Sequence, residues 1–377
     1  FLYNVNRDSV LYDTDYFGYE DFSDYLSSYL LEFYLNADYQ NKYMGVHLKS
    51  LLNLADSEPS FTIYEAYGNV NFSFNAFMEF GKRIYNWGKG YAFNAVGFVN
   101  PVKDPASPES IKEGINSVNL ALLKSFDNPL FKTIALDTIL VFPDDTTFDE
   151  VFEFNNYSAA AKMYVMLGRV DLDFMGYYSD EGVKRTGGDF AFNILDNLEF
   201  HGEVSYSWQE SLKRIEDSTV VDSEEDGLRA LSGFRFLSSW DTTVIIEYYY
   251  NQLGFSESDF TLFLDSIQSL MDIGTEQTVT SAMNLSGYVS RPVLMQNYLY
   301  VKISQPEPFD IVYFKPGVAC LLNIDDLSLS ITPEIVYEPF TNFSLYTRPT
   351  IYIGEEGTEF GSKSNQFIMN IGMSYYY

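Results

Sequence analysis

A chain of 377 residues with a formal net charge of −30 excludes a nucleic-acid partner, because gripping a phosphate backbone takes an excess of Lys and Arg. With 32 Phe and 31 Tyr it is too aromatic for a disordered acidic chain. Its single cysteine, Cys320, excludes an intrachain disulfide framework, a Cys-rich metal site and covalent haem attachment. No stretch approaches 18 apolar residues, so no transmembrane helix is expected, but barrel strands would leave only a weak hydropathy signal. No secretory leader is visible, and a start at Phe1 reads as a mature, processed end.

Residues 1–24 read as an N-terminal extension, periplasmic or within a lumen, and residues 25–377 as a single domain. From 25 onward a period of two dominates, the signature of strands with one apolar and one polar face. Candidate strands fall near 25–37, 42–53, 61–73, 76–87, 115–125, 132–142, 158–167, 169–179, 187–195, 197–209, 227–237, 240–251, 278–290, 297–304, 311–322, 326–338, 342–353 and 365–377. Many are about ten residues long, which suits tilted strands that cross a bilayer (~9–11 residues) better than soluble strands (~5–6). The pattern predicts an all-β fold: a transmembrane antiparallel β-barrel of about 18 strands, an even number, with 16–20 as the range. A soluble sandwich is the alternative, and it would need the apolar faces buried against one another. Tyr and Trp near strand ends, such as Tyr85 and Trp87, Tyr206 and Trp208, and Trp240, fit interfacial girdles.

The segment 63–108 is the most distinctive: an E-A-Y strand, a hairpin, a strand reading F-G-K-R-x-x-x-W-G, then a loop with F-x-x-x-x-F-x-N-P. Over about 45 residues it resembles the early hairpin of outer-membrane porins of the alginate-export and related substrate-channel families. Lys82 and Arg83 stand where the family pattern tends to have Arg and Gln. Alternation points Arg83 inward and Lys82 outward, and a bulge at Gly81 would reverse that. The resemblance implies that residues 88–108 can fold inward as a constriction, with Lys89, Asn94, Asn100 and Lys103 as candidates. A loop packed at the rim is the other possibility.

Further along, 258–274 reads as one amphipathic helix capped by Ser258 and ended by Gly274. Pro316, Pro333 and Pro349 fall inside three consecutive strands and call for a bulge or a shared kink. Counting 18 strands from residue 25 puts the long connections 88–114, 143–157, 210–226 and 252–277 on the periplasmic side, against the usual arrangement.

Alternation directs Glu32, Lys49, Glu65, Glu79, Arg83, Lys162, Asp171, Asp173, Asp189, Glu199, His201, Glu203, Arg229, Arg235, Glu247, Lys302, Lys315, Glu334 and Arg348 toward the lumen. A mixed-sign interior is what a wetted channel needs. Pairing across strands, as for Glu334 with Arg348, is the plainer reading of each. Acids at 144–153 and 222–226 read as loop charges that would favour cations at the mouth. Glu199, His201 and Glu203 share one strand face, but same-face neighbours lie ~6.6 Å apart, too far for one ion to take all three. No metal, cofactor or catalytic residue is expected.

Passive diffusion of small hydrophilic solutes or ions is thus the expected function. The rivals are a scaffold barrel around a multihaem cytochrome and a structural or adhesive barrel. The expected partners are the bilayer, lipopolysaccharide and the outer-membrane assembly machinery. For that machinery the terminal strand offers Phe367, Met369, Ile371, Met373, Tyr375 and Tyr377 at every second position. Strand 25–37 is expected to close onto it.

Overall fold

The computed structural model describes residues 2–5, 9, 25–55, 59–110, 112–143, 157–216, 219–289 and 291–376. In chain order the strands are β1 (Leu2–Val5), β2 (Tyr25–Ser27), β3 (Leu30–Gln40), β4 (Met44–Ala55), β5 (Ser60–Ser73), β6 (Ala76–Arg83), β7 (Ile115–Ser125), β8 (Phe131–Val141), β9 (Ser158–Leu167) and β10 (Val170–Ser179). There follow β11 (Lys184–Leu195), β12 (Leu198–Glu216), β13 (Thr219–Leu237), β14 (Thr243–Asn251), β15 (Asn297–Ser304), β16 (Phe314–Asn323), β17 (Leu329–Phe340), β18 (Phe343–Ile353) and β19 (Asn365–Tyr375). Two helices, α1 (Glu257–Ile273) and α2 (Glu276–Val289), lie between β14 and β15.

All strands belong to one 19-stranded sheet in which sequence neighbours pair antiparallel. Only Ser28 and Tyr29 separate β2 from β3, and counting the two as one interrupted strand gives eighteen members. The ring is joined through β1, which pairs with β19 on one side and β2 on the other. The terminal strand therefore meets Leu2–Val5 and not the strand expected near 25–37. Part of the expected 1–24 extension is thus sheet, and most of it lies outside the described residues, as does Tyr377.

Which face points outward is decided by exposure. Phe174 is 52% exposed between Asp173 (2%) and Met175 (4%), and Val204 is 50% exposed between Glu203 (4%) and Ser205 (2%). The exposed apolar residues turn out and the wall's buried carboxylates and hydroxyls turn in, the reverse of a soluble protein and the pattern of a barrel in lipid. The fold is that of an outer-membrane β-barrel.

Several expectations are corrected. Residues 278–289 lie in α2 and not in a strand, so the described residues hold two α-helices where one was expected. The eighteenth member is β1 instead. In α1 the cap is Ser256, whose hydroxyl accepts from the Asp259 N–H, and Gly274 ends the helix at φ 67° as expected. Within the supposed loop, 210–216 continue β12 and 219–226 begin β13, so Asp222, Glu224, Glu225 and Asp226 lie on a strand. Cross-strand pairs hold that extension: Arg214 with Glu225 at 2.7 Å and Lys213 with Asp222 at 2.6 Å. The acids at 144–153 lie outside the described residues. Pro333 and Pro349 interrupt the β17–β18 ladder between Ile331 and Ile335, yet the register on either side agrees, so no bulge forms there.

Following the strands places 41–43, 74–75, 126–130, 168–169, 196–197, 238–242, 305–313 and 341–342 at one end, together with the end of β19. At the other end the chain passes from β4 to β5, β6 to β7, β8 to β9, β10 to β11, β12 to β13, β14 to β15, β16 to β17 and β18 to β19. The longest connections thus share the end opposite the terminus of β19, beside short turns such as 180–183 and 324–328, and the conflict over sidedness came from the miscounted strand.

Candidate functional site

Residues 84–114 leave β6 and cross to the opposite wall. Lys89 Nζ reaches Asp173 on β10 at 2.8 Å and Asp189 on β11 at 3.7 Å. Tyr91 Oη accepts from Lys302 Nζ on β15 at 2.5 Å, and Arg348 on β18 donates to the Ser107 hydroxyl at 2.6 Å. One segment can touch all these strands only by passing through the middle of the ring. The loop is folded into the lumen.

Two inward carboxylates receive its backbone. Glu203 Oε1 accepts the N–H groups of Lys89 and Gly90, both at 2.6 Å. Its Oε2 accepts those of Ala95 at 2.7 Å and Val96 at 3.2 Å. Glu247 accepts from Tyr91 N–H at 2.5 Å and Ala92 N–H at 2.8 Å. The Ser205 hydroxyl donates to Ala95 O at 2.7 Å. Bonds to a charged acceptor contribute about 1.5–3 kcal/mol net each, and burying these carboxylates without such donors would cost more than that. His201 Nε2 lies 3.0 Å from Glu247 and its Nδ1 3.6 Å from Glu199. The Glu-x-His-x-Glu face is therefore divided, with Glu203 turned to the loop.

Behind these bonds the apolar side of the loop packs on aromatic wall residues. Phe93 stacks on Tyr249 with centroids 4.7 Å apart and an interplanar angle of 7°, and it meets Tyr300 edge-on at 6.3 Å. The same cluster takes in Phe260, Phe263, Ile267 and Met271 of α1, Ala282 and Val289 of α2, and Phe360 of the 354–364 connection. Glu359 is buried there, accepting from Tyr298 Oη at 2.7 Å, Asn323 Nδ2 at 2.9 Å and Leu294 N–H at 3.0 Å.

Titration in the loop follows its surroundings. Burial alone would lower the pKa of Lys89, but the hydrogen bond to Asp173 and the charge of Asp189 outweigh it and hold it above the usual lysine value. Lys103, whose Nζ donates to Gly90 O at 2.5 Å, is lowered by burial despite Glu203 and Glu247. For Glu109, burial is outweighed by the Tyr91 hydroxyl and by Lys302, which keep its carboxyl below the ordinary range.

The other expected residues are spread around the wall. Lys49 meets Glu65 at 3.4 Å, Arg83 pairs with Glu79, and Arg348 pairs with Glu334. Lys302 lies 3.8 Å from Glu334, and Lys315 meets Glu338 at 3.4 Å. Asp171 accepts from Tyr164 at 2.5 Å, Glu32 accepts from Tyr34 at 3.1 Å, and Arg229 donates to Ser207 at 3.0 Å. Arg235 stands opposite Glu199 in the β12–β13 register, and Lys162 sits over the Trp87 ring. Lys82 pairs instead with Glu113, and the β6–β7 register is unbroken across Gly81. Asn94 and Asn100 are used within the loop: both donate to Trp87 O, and Asn100 also accepts from Trp87 N–H. Sequence reasoning missed Tyr91, Ser205, Glu109 and the six backbone donors. The visible signal was "WGKG", two glycines around a lysine, where the backbone can approach another group closely.

No protein-family model and no curated protein sequence matches the chain. Solved structures do match in fold. Pseudomonas aeruginosa OprD is similar at TM-score 0.55 and 8% identity, covering 93% of this chain and 90% of that one. P. aeruginosa OccK2 (OpdF), solved in complex with glucuronate, is similar at TM-score 0.53 and 11% identity, covering 93% and 92%. Escherichia coli Wzi, described as a carbohydrate-binding β-barrel involved in group 1 capsule assembly, gives TM-score 0.53 and 11% identity, covering 91% and 77%. These likenesses agree with the sequence in one respect: the chain has the fold of outer-membrane porin-type barrels.

Proposed function

We propose that this chain is an outer-membrane channel through which small hydrophilic solutes or ions diffuse, narrowed by residues 84–114. The observation behind this reading is the lumen itself, lined with acidic, basic and hydroxyl side chains and crossed by the segment that follows β6, inside a wall that is apolar outward. The end of β19 and the turns beside it would face the periplasm, and the long connections with α1 and α2 the exterior, surrounded by lipopolysaccharide. The terminal strand would be read by the assembly machinery. A net charge of −30 supports a modest preference for cations. A barrel that sheaths a multihaem partner would need the space that this loop and its aromatic cluster occupy. A structural or adhesive barrel would pass nothing. Swelling of liposomes reconstituted with the chain, in sugars of graded size, separates these. Size-dependent swelling is expected, and swelling no faster than empty liposomes would overturn the channel.

A further inference from the structure

Glu203 on β12 and Glu247 on β14 are wall carboxylates that almost no solvent reaches, with 4% and 0% exposure. A solute passing through the lumen would not meet them. Their partners are the N–H groups at 89–92, 95 and 96, so the loop backbone wraps the wall's own anions. The glycines make that wrapping sterically possible. At Gly88, with φ +97°, a Cβ would lie 2.6 Å from Glu203 Oε1, and at Gly90 it would lie 2.5 Å from Phe93 O. Consecutive N–H groups converging on one carboxylate form the anion-binding concavity usually found around phosphate, here filled from within.

We infer that Glu203 and Glu247 are positioning residues that set the calibre of the passage by clasping residues 89–96 and holding the loop across the lumen. This rests on the channel reading. Lys103 on Gly90 O and His201 on Glu247 brace the clasp from either side, and Ser205 takes up the Ala95 carbonyl. Aromatic packing of Phe93 alone would leave the segment free to tilt about that ring. The carboxylates fix the backbone on both sides of it.

Two measurements on the full chain test this: amide hydrogen exchange in lipid, and single-channel conductance. In a Glu203→Gln, Glu247→Gln double variant, exchange at 89–96 should quicken by about tenfold or more while the strands stay protected. Conductance should rise by roughly twofold with a larger solute exclusion limit, as expected when a constriction is loosened. A Glu203→Ala variant leaves the N–H concavity empty, and added formate should slow exchange at 89–96 again, which a general loss of stability would not allow. If the double variant fails to insert, Gly90→Val, whose side chain would collide with Phe93 O and Leu231, carries the same expectation. Unchanged exchange at 89–96 overturns the clasp. Faster exchange with wild-type conductance and exclusion limit overturns its role in calibre. A wild-type chain that conducts nothing defeats the channel reading, while the exchange arm still decides the clasp.

Discussion

Two stretches of the barrel wall carry the same alternation of inward charges and use them differently. Along β10 to β14, Asp173, Asp189, Glu203 and Glu247 are all buried beneath the loop and hold it. Along β3 to β5, inward charges pair chiefly across strands, as Asp38 with His47 at 2.6 Å and Lys49 with Glu65 at 3.4 Å, and the loop touches them only at its start, where Glu65 accepts from Ile84 N–H at 3.1 Å. The side chains of Asp38 and Lys49 remain 69% and 42% exposed. Inward orientation therefore does not decide whether a residue meets a solute. Coverage by the loop does, and on the proposed channel reading the passage would run along β3 to β5.

The largest effect that would sharpen this contrast is expected at Lys89. Lys89→Met strips the cation from two buried carboxylates and should cost about 3–5 kcal/mol, as loss of one partner of a buried ion pair does. Reversible urea unfolding in vesicles would read it, and a loss comparable to that of a surface pair would erase the distinction between the walls. Next comes Phe93→Ala, which removes the ring stacked on Tyr249 and should cost about 3 kcal/mol. The same unfolding assay reads it, with Phe93→Leu expected to recover much of the loss.

A smaller effect is expected from pH at the 354–364 connection. Burial, partly offset by Lys363 and by the Tyr298 hydroxyl, pushes the Glu359 carboxyl up to about 7. A raised carboxyl favours the docked state while protonated. The connection should therefore be held most firmly below the ordinary carboxylate range and loosen as pH rises through about 7. Exchange at 354–364, corrected for intrinsic rates, should be slower at acid pH, and Glu359→Gln should flatten the dependence. A connection equally protected on both sides of neutrality would contradict it. The smallest stability change belongs to the open wall. Lys49→Gln should shift stability by under about 1 kcal/mol, since the lysine side chain is 42% exposed, yet move the reversal potential toward cations. A Lys49→Gln channel with wild-type selectivity would show that the passage runs elsewhere.

The barrel was legible because alternation over about ten residues leaves one apolar face, and only lipid covers such a face on so many strands. Legibility failed where two periods fit one segment. Residues 278–290 were expected as a strand because Val279, Thr280 and Val289 favour one, while the helical spacing of Ala282, Leu285 and Val289 was the competing signal, and all three join the aromatic cluster. The β12–β13 extension was hidden by charge, since Lys213, Arg214, Asp222 and Glu225 read as loop until their cross-strand partners are known. At the site, alternation put Glu203 and Glu247 on the inner face. Their partners are backbone N–H groups from a loop without periodicity, and side-chain patterns are silent about those. The clasp could be guessed only from the two glycines around Lys89.

Single-channel current through the purified chain in a planar bilayer tests most directly whether a barrel crossed by its own loop still conducts. Discrete ohmic steps are expected in wild type, with a reversal potential in a salt gradient displaced toward the cation side. A chain that is folded and inserted yet gives no steps, under any applied potential, would contradict the channel.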